Sequence, residues 1–118
     1  MTATLLRTVH EPAREVPVIH ETETLVIGSG PGGLAAAMAS ARAGVETTLV
    51  ERYGCFGGNM TQVGVEGLAW YRHPATVDCE GIGREFEDRA VIMGAALPEP
   101  QSISHALDAE AFKYVADT

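Results

Sequence analysis

A short apolar run that ends in a cluster of glycines, at residues 24–33, constrains the fold of this chain more than any other stretch. The apolar side chains before Gly28 favour a strand. The glycines then follow with the spacing G-x-G-x-x-G, at Gly28, Gly30 and Gly33. A strand, a tight turn and a helix start in this order present free backbone N–H groups and a partial positive charge to phosphates. The stretch therefore predicts a turn that holds a pyrophosphate.

Each residue of the turn has a separate expected role. Gly28 allows the sharp turn off the strand, and Gly30 has no Cβ, so a phosphate can approach the backbone. Gly33 lets the helix pack closely on the strand. Pro31 suits the first helical turn because its missing N–H would be unpaired there anyway, and Gly32 stands beside it. We expect all five residues to contact the ligand.

The residues after the turn predict a strand–helix–strand unit. An alanine-rich helix is expected from Pro31 or Gly32 to Ala43, and Gly44 is placed to end it. Residues 45–50 resume an apolar, β-branched run, and Glu51 ends it, near the position where an acidic side chain meets a ribose hydroxyl in such units. The alternative is an ordinary strand–helix–strand unit with a glycine-rich turn. The elements taken together favour the binding unit.

Composition narrows the class of protein. With 118 residues the chain is one domain at most, and its net charge of −8 argues against nucleic acid and anionic membrane surfaces as partners. The weakly polar run 28–43 is too short to span a bilayer. The two cysteines form no C-x-x-C, the histidines have no metal-ligand spacing, and the first residues do not resemble a signal peptide. We expect a cytoplasmic protein without a metal site.

The remaining stretches predict further elements. Residues 1–15 are expected to form a flexible extension, and 16–19 a short edge strand. Residues 81–94 predict an amphipathic helix with Phe86 and Met93 on its apolar face and Glu87 on its polar face. Residues 97–101 contain two prolines and predict a connector, and Asp108 is expected to cap a final helix.

Two motifs together resemble a known family. Residues 21–33 read E-T-E-T-L-V-I-G-S-G-P-G-G, and residues 48–59 read T-L-V-E-R-Y-G-C-F-G-G-N. This pair is similar to the N-terminal part of FAD-dependent oxidoreductases of the glutathione-reductase superfamily, whose flavin loop follows an E-R-x-G-x-x-G-G pattern. Residues 80–86 and 107–113 support the resemblance, which covers residues 16–118.

The resemblance implies a role for each matching residue. Gly28, Gly30 and Gly33 would face the FAD pyrophosphate, and Glu51 would bind the ADP ribose with Arg52 beside the adenosine. The loop glycines would let the backbone pass along the pyrophosphate and ribityl region, and the residues after them would approach the isoalloxazine; these are Gly57, Gly58, Asn59 and Thr61. No residue is predicted as a catalytic acid or base. Tyr71, Arg72 and His73 are the only reactive cluster after the loop, and a surface loop is the favoured interpretation there.

The expected fold is therefore α/β, a partial Rossmann-like FAD/NAD(P)-binding fold made of a βαβ unit and following helices. Doubly wound sheets have roughly five or six strands, and this chain supplies two good parallel ones, so the sheet is expected to be incomplete. Further sequence or a second chain would complete it. An NAD-binding dehydrogenase segment and a non-catalytic accessory subunit or inactive fragment are the alternatives.

Overall fold

The computed structural model describes residues 7–68, 72–73, 76–77, 80–99 and 103–118. Within these residues the chain forms strands and helices in mixed order. They are β1 (Thr24–Ile27), α1 (Pro31–Arg42), β2 (Thr47–Val50), α2 (Asn59–Gln62), β3 (Arg72–His73), β4 (Thr76–Val77), α3 (Ile82–Ile92), β5 (Ala96–Pro98), β6 (His105–Leu107) and α4 (Ala109–Asp117).

The first three elements form the predicted strand–helix–strand unit. β1 and β2 pair in parallel, with Thr24 opposite Thr47 and Ile27 opposite Val50. α1 begins at Pro31, directly after the glycine turn, because proline at the first position sacrifices no intrahelical hydrogen bond. Gly44 has a φ of +83°, the left-handed conformation that ends a helix at low cost for glycine. The α/β class with a small parallel sheet is confirmed.

The buried core lies away from this sheet. It consists of residues from α2, α3, α4 and the β5–β6 hairpin: Met60, Ala90, Ala95, Ala96, Leu107, Phe112 and Val115. The rings of Phe86 and Phe112 join α3 to α4, with centroids 5.8 Å apart and planes tilted by 53°, a favourable aromatic geometry. Leu34 of α1 lines the same small apolar cavity as these two rings. α1 thus connects the parallel sheet to the core.

An ion-pair network also ties α1 to α3. Arg42 at the end of α1 donates two hydrogen bonds to the Glu85 carboxylate, at 2.7 and 2.8 Å. Arg89, one turn along α3, donates to the same carboxylate at 2.8 Å. These hydrogen bonds, first of all that from Arg42, lower the pKa of Glu85. The bidentate pair thus joins the end of α1 to α3 with a defined geometry.

The outer face of the parallel sheet is bare. Leu25 and Ile27 alternate outward along β1 and are 55% and 79% exposed, and Val50 on β2 is 48% exposed. Because α1 covers the opposite face, about half or more of each of these apolar side chains is open to solvent. A contiguous apolar sheet face of this kind is normally covered by another layer.

Two expectations from the sequence are wrong. Residues 16–19 form no strand: Val16, Val18 and Ile19 are exposed, and Pro17 has no N–H to donate to a neighbouring strand. Residues 97–101 are not simply a connector, because β5 ends on Pro98 and pairs antiparallel with β6. The two prolines led to the prediction of a connector, although an edge strand tolerates proline at its end.

The assignment of faces on α3 is also partly wrong. Glu87 is fully buried, and its carboxylate contacts Nδ1 of His105 on β6. Met93, expected on the apolar face, is 51% exposed. A carboxylate is buried only when polar groups partner it, and the sequence pattern does not show that a histidine far along the chain supplies such a contact.

Candidate functional site

The turn between β1 and α1 depends on its glycines in different ways. Gly28 has a φ of +93°, and its N–H donates to the Val50 carbonyl at 2.8 Å. A Cβ on Gly33 would lie 1.9 Å from the Gly28 carbonyl oxygen, so only glycine permits this contact between helix and strand. A Cβ on Gly30 or Gly32 would meet no protein atom within 4 Å. The space beside these two positions is therefore open.

The second glycine segment folds against the first. The Gly57 N–H donates to the Ser29 carbonyl at 3.0 Å. A Cβ on Gly58 would lie 2.6 Å from the Gly30 Cα, and one on Gly57 would lie 2.4 Å from Cγ2 of Thr61. The backbone of the loop and the backbone of the turn therefore touch at a distance that side chains would prevent. The two motifs, separated in sequence, form one continuous backbone surface.

Thr61 holds the loop rather than facing outward. Its hydroxyl donates to the Phe56 carbonyl at 2.6 Å, and the residue is 7% exposed. Asn59 is exposed and begins α2, where its carbonyl accepts from the Val65 N–H at 3.0 Å. Arg52 is exposed, with its guanidinium carbon 5.7 Å from the centre of the Tyr53 ring, within cation–π range.

Glu51 lies at the end of β2, beside the glycine turn. One carboxylate oxygen, Oε2, accepts from the backbone N–H of Ser29 at 2.7 Å and from its hydroxyl at 2.5 Å. The other, Oε1, accepts from the N–H groups of Arg52 at 2.7 Å and Tyr53 at 3.0 Å. The Ser29 hydroxyl first, then the backbone N–H groups, lower the pKa of Glu51 to about 2. The site therefore holds an ionised carboxylate that four protein donors keep in place beside the glycine turn.

Ser29 is a site residue that the sequence reasoning missed. It is fully buried, and both its backbone and its side chain contact Glu51. The available indication was its position between the first two glycines, where the turn brings a side chain back toward the next strand.

The cysteines and the cluster Tyr71, Arg72 and His73 are the other chemically reactive residues considered. Cys55 is a free thiol that accepts a hydrogen bond from the Gln62 amide nitrogen, with donor and sulfur 2.7 Å apart. Tyr71 and Cys79 lie outside the described residues, and Arg72 and His73 form β3, paired with β4. In the described part of the chain, no three histidine, cysteine or carboxylate side chains are grouped as metal ligands. Nor does any described helix have the length and apolar character to cross a membrane.

The fold and this site define an α/β protein with a glycine-rich turn for a dinucleotide. The model of the FAD dependent oxidoreductase family matches residues 23–118, most of the chain. This chain belongs to that family, and FAD is the family's cofactor. The predicted resemblance is thereby confirmed.

Curated relatives agree with this assignment. The chain is 37% identical over 82 residues to a dihydrolipoyl dehydrogenase of Vibrio parahaemolyticus, a match that covers 70% of this chain and 16% of that protein. It is 52% identical over 44 residues to the dihydrolipoyl dehydrogenase of Geobacillus stearothermophilus, covering 37% of this chain and 9% of the other. A soluble pyridine nucleotide transhydrogenase of Hamiltonella defensa is 47% identical over 51 residues, covering 43% and 11%.

The matched relatives are much longer than this chain. The matches span at most 16% of the length of these three proteins. No solved structure matches the chain.

Proposed function

We propose that this chain is the FAD-binding segment of a flavin-dependent oxidoreductase and works with further sequence or a partner chain. The observation that carries the proposal is the contact between the two glycine segments, at Gly30 and Gly58, next to the anchored carboxylate of Glu51. Phosphates, which need close backbone approach, and a ribose, which needs a hydroxyl acceptor, would meet adjacent features of one surface.

The residues at this surface suit the two halves of an FAD. Open space beside Gly30 and Gly32 fits phosphate oxygens, which the N–H groups at the start of α1 would bind. Glu51 would accept from the ribose, and exposed Arg52 would lie beside the adenosine. Gly57 and Gly58 would let the backbone follow the pyrophosphate toward α2.

Chemistry would come from the cofactor, because a bound flavin accepts a hydride from a substrate. The residues of this chain would bind and orient it. No described side chain at the site is assigned as an acid or base. The substrate side of the reaction would therefore belong to the portion of the protein beyond this segment, or to another chain.

The bare face of the parallel sheet supports that division. Leu25, Ile27 and Val50 present apolar surface that a further layer would bury. Further sequence of the same protein or a second chain would supply that layer. The two cysteines and the absence of a C-x-x-C motif favour a cytoplasmic location.

An NAD-binding segment is the second candidate, since Glu51 would accept from the ribose of NAD as well. The loop through Gly57 and Gly58 favours FAD. The third candidate is an accessory subunit or an inactive fragment.

Two measurements separate the three: the visible spectrum of the protein during gel filtration, and a calorimetric titration of the protein with NAD. We expect flavin absorption that elutes with the protein. Protein without flavin that binds NAD would favour the dehydrogenase. Protein that retains neither, even when supplied with FAD, would contradict the proposal and leave the accessory role.

A further inference from the structure

Each oxygen of the Glu51 carboxylate accepts two hydrogen bonds from the protein itself. Oε2 accepts from the N–H and the hydroxyl of Ser29, and Oε1 accepts from the N–H groups of Arg52 and Tyr53. An ionised carboxylate offers about four lone-pair sites. All of them are therefore occupied before a ligand hydroxyl arrives, and a ribose must displace or share one of these donors.

The Ser29 hydroxyl is the donor that can give way. The other three donors are backbone N–H groups, whose directions are fixed by the turn and by the end of β2. A hydroxyl hydrogen rotates about its C–O bond. Ser29 is fully buried, so its hydroxyl cannot turn to water once it leaves Glu51, and that loss counts against the ligand.

We propose that Ser29 is a positioning residue that acts through Glu51: its hydroxyl occupies the acceptor site that a ribose hydroxyl requires and so weakens the preference for ribose over deoxyribose. The inference rests on the proposed function, in which Glu51 accepts from the ribose of adenosine. In the native site, a ribose hydroxyl would take the place of the Ser29 hydroxyl as a donor to Glu51. The sequence position between two glycines allows this because the turn brings Ser29 directly against β2.

The direction of the effect follows from counting hydrogen bonds. In the native protein a ribose hydroxyl replaces the Ser29 hydroxyl, so the number of donors on Glu51 stays constant and the gain is small. Without the serine hydroxyl, the ribose hydroxyl fills an empty site on a charged acceptor, which is worth about tenfold in affinity. Removing a polar group from the site should therefore increase the selectivity for ribose.

The test uses the full-length protein from which flavin has been removed, with calorimetric titration of ADP, 2′-deoxy-ADP and 3′-deoxy-ADP. For each protein, the dissociation constants of 2′-deoxy-ADP and of 3′-deoxy-ADP are each divided by that of ADP. The larger of these two ratios is then compared between the native protein and the variants. Ser29→Ala removes the donor, and Ser29→Cys replaces it with a weaker donor of similar shape. Ser40→Ala is the matched control, because the Ser40 hydroxyl accepts from Thr47 at 2.9 Å, within the same unit. Glu51→Gln tests the underlying assignment.

We expect a ratio of about threefold or less in the native protein and the Ser40 variant, and about tenfold in Ser29→Ala. Ser29→Cys should lie between them, and it decides the question if Ser29→Ala does not fold. A ratio that stays the same or falls in the Ser29 variants overturns the inference, as does an equal loss of affinity for all three nucleotides. If Glu51→Gln binds ADP as tightly as the native protein, the ribose assignment itself fails and the inference with it.

Discussion

Gly30→Ala separates the binding role of the glycine turn from its structural role. Gly30 has φ −60° and ψ 174°, an extended conformation that alanine adopts freely. A Cβ there meets no protein atom within 4 Å. Alanine also restricts the unfolded chain more than glycine does, so the free energy of unfolding should stay constant or rise by about 0.4–1 kcal/mol.

Binding of FAD should respond in the opposite direction. The added methyl group would occupy the space proposed for a phosphate, and an extra carbon in a packed contact costs about 1–3 kcal/mol. That range corresponds to a dissociation constant about fivefold to 150-fold larger. The variant should therefore be purified with little or no flavin while its thermal unfolding midpoint, measured without cofactor, is unchanged or higher.

The assay compares flavin absorbance per chain and FAD titration of the flavin-free protein, for the native chain and for Gly30→Ala. Gly83→Ala is the control, because a Cβ at that position in α3 also meets nothing within 4 Å and no residue of α3 is predicted to contact the ligand. Native flavin content in Gly30→Ala would refute the placement of a phosphate beside this residue. A lower unfolding midpoint would refute the claim that the position is sterically free.

Three further changes test the local structure. Gly33→Ala should lower the unfolding free energy by about 3 kcal/mol or more in denaturant titration, since its Cβ would lie 1.9 Å from the Gly28 oxygen; a stable variant would contradict that packing. The pKa of Glu51 falls from 4.5 to about 2 on folding, so its contribution to stability is complete above pH 4.5 and is lost as pH falls toward 2. The unfolding midpoints of native protein and Glu51→Gln should therefore converge across that window, and parallel curves would argue against it. Asp108→Ala removes a side chain that accepts from two N–H groups of α4, and should cost about 1 kcal/mol, whereas Asp108→Asn should cost little.

The parts of the fold that depend on local patterns were predictable. The limits of β1, the start of α1 at proline and the Asp108 cap all follow from neighbours in sequence. The β5–β6 hairpin was not predictable in this way, because its pairing joins residues across an intervening segment and one strand ends on proline. The burial of Glu87 depends on His105, a residue far along the chain.

The candidate site also combines features that the sequence predicts with features that depend on tertiary contacts. The first glycine motif and Glu51 were predicted as ligand-binding from spacing, and the second glycine motif from the family resemblance; these roles remain predictions. Their mutual contact is a tertiary fact, since the distance between Gly58 and Gly30 depends on how the loop folds back. The position of Ser29 against Glu51 depends likewise on the parallel pairing of β1 and β2.

The bare outer face of the β1–β2 sheet has a consequence for the lifetime of the protein. Neither strand contributes a residue to the buried core formed by α2, α3, α4 and the hairpin. Amide hydrogens of this unit should therefore exchange with solvent through local opening at lower free energy than those of α4. A ligand that binds only the closed unit suppresses such opening in proportion to its concentration. The supply of flavin in the cell would then help to determine how long each newly made chain resists proteolysis.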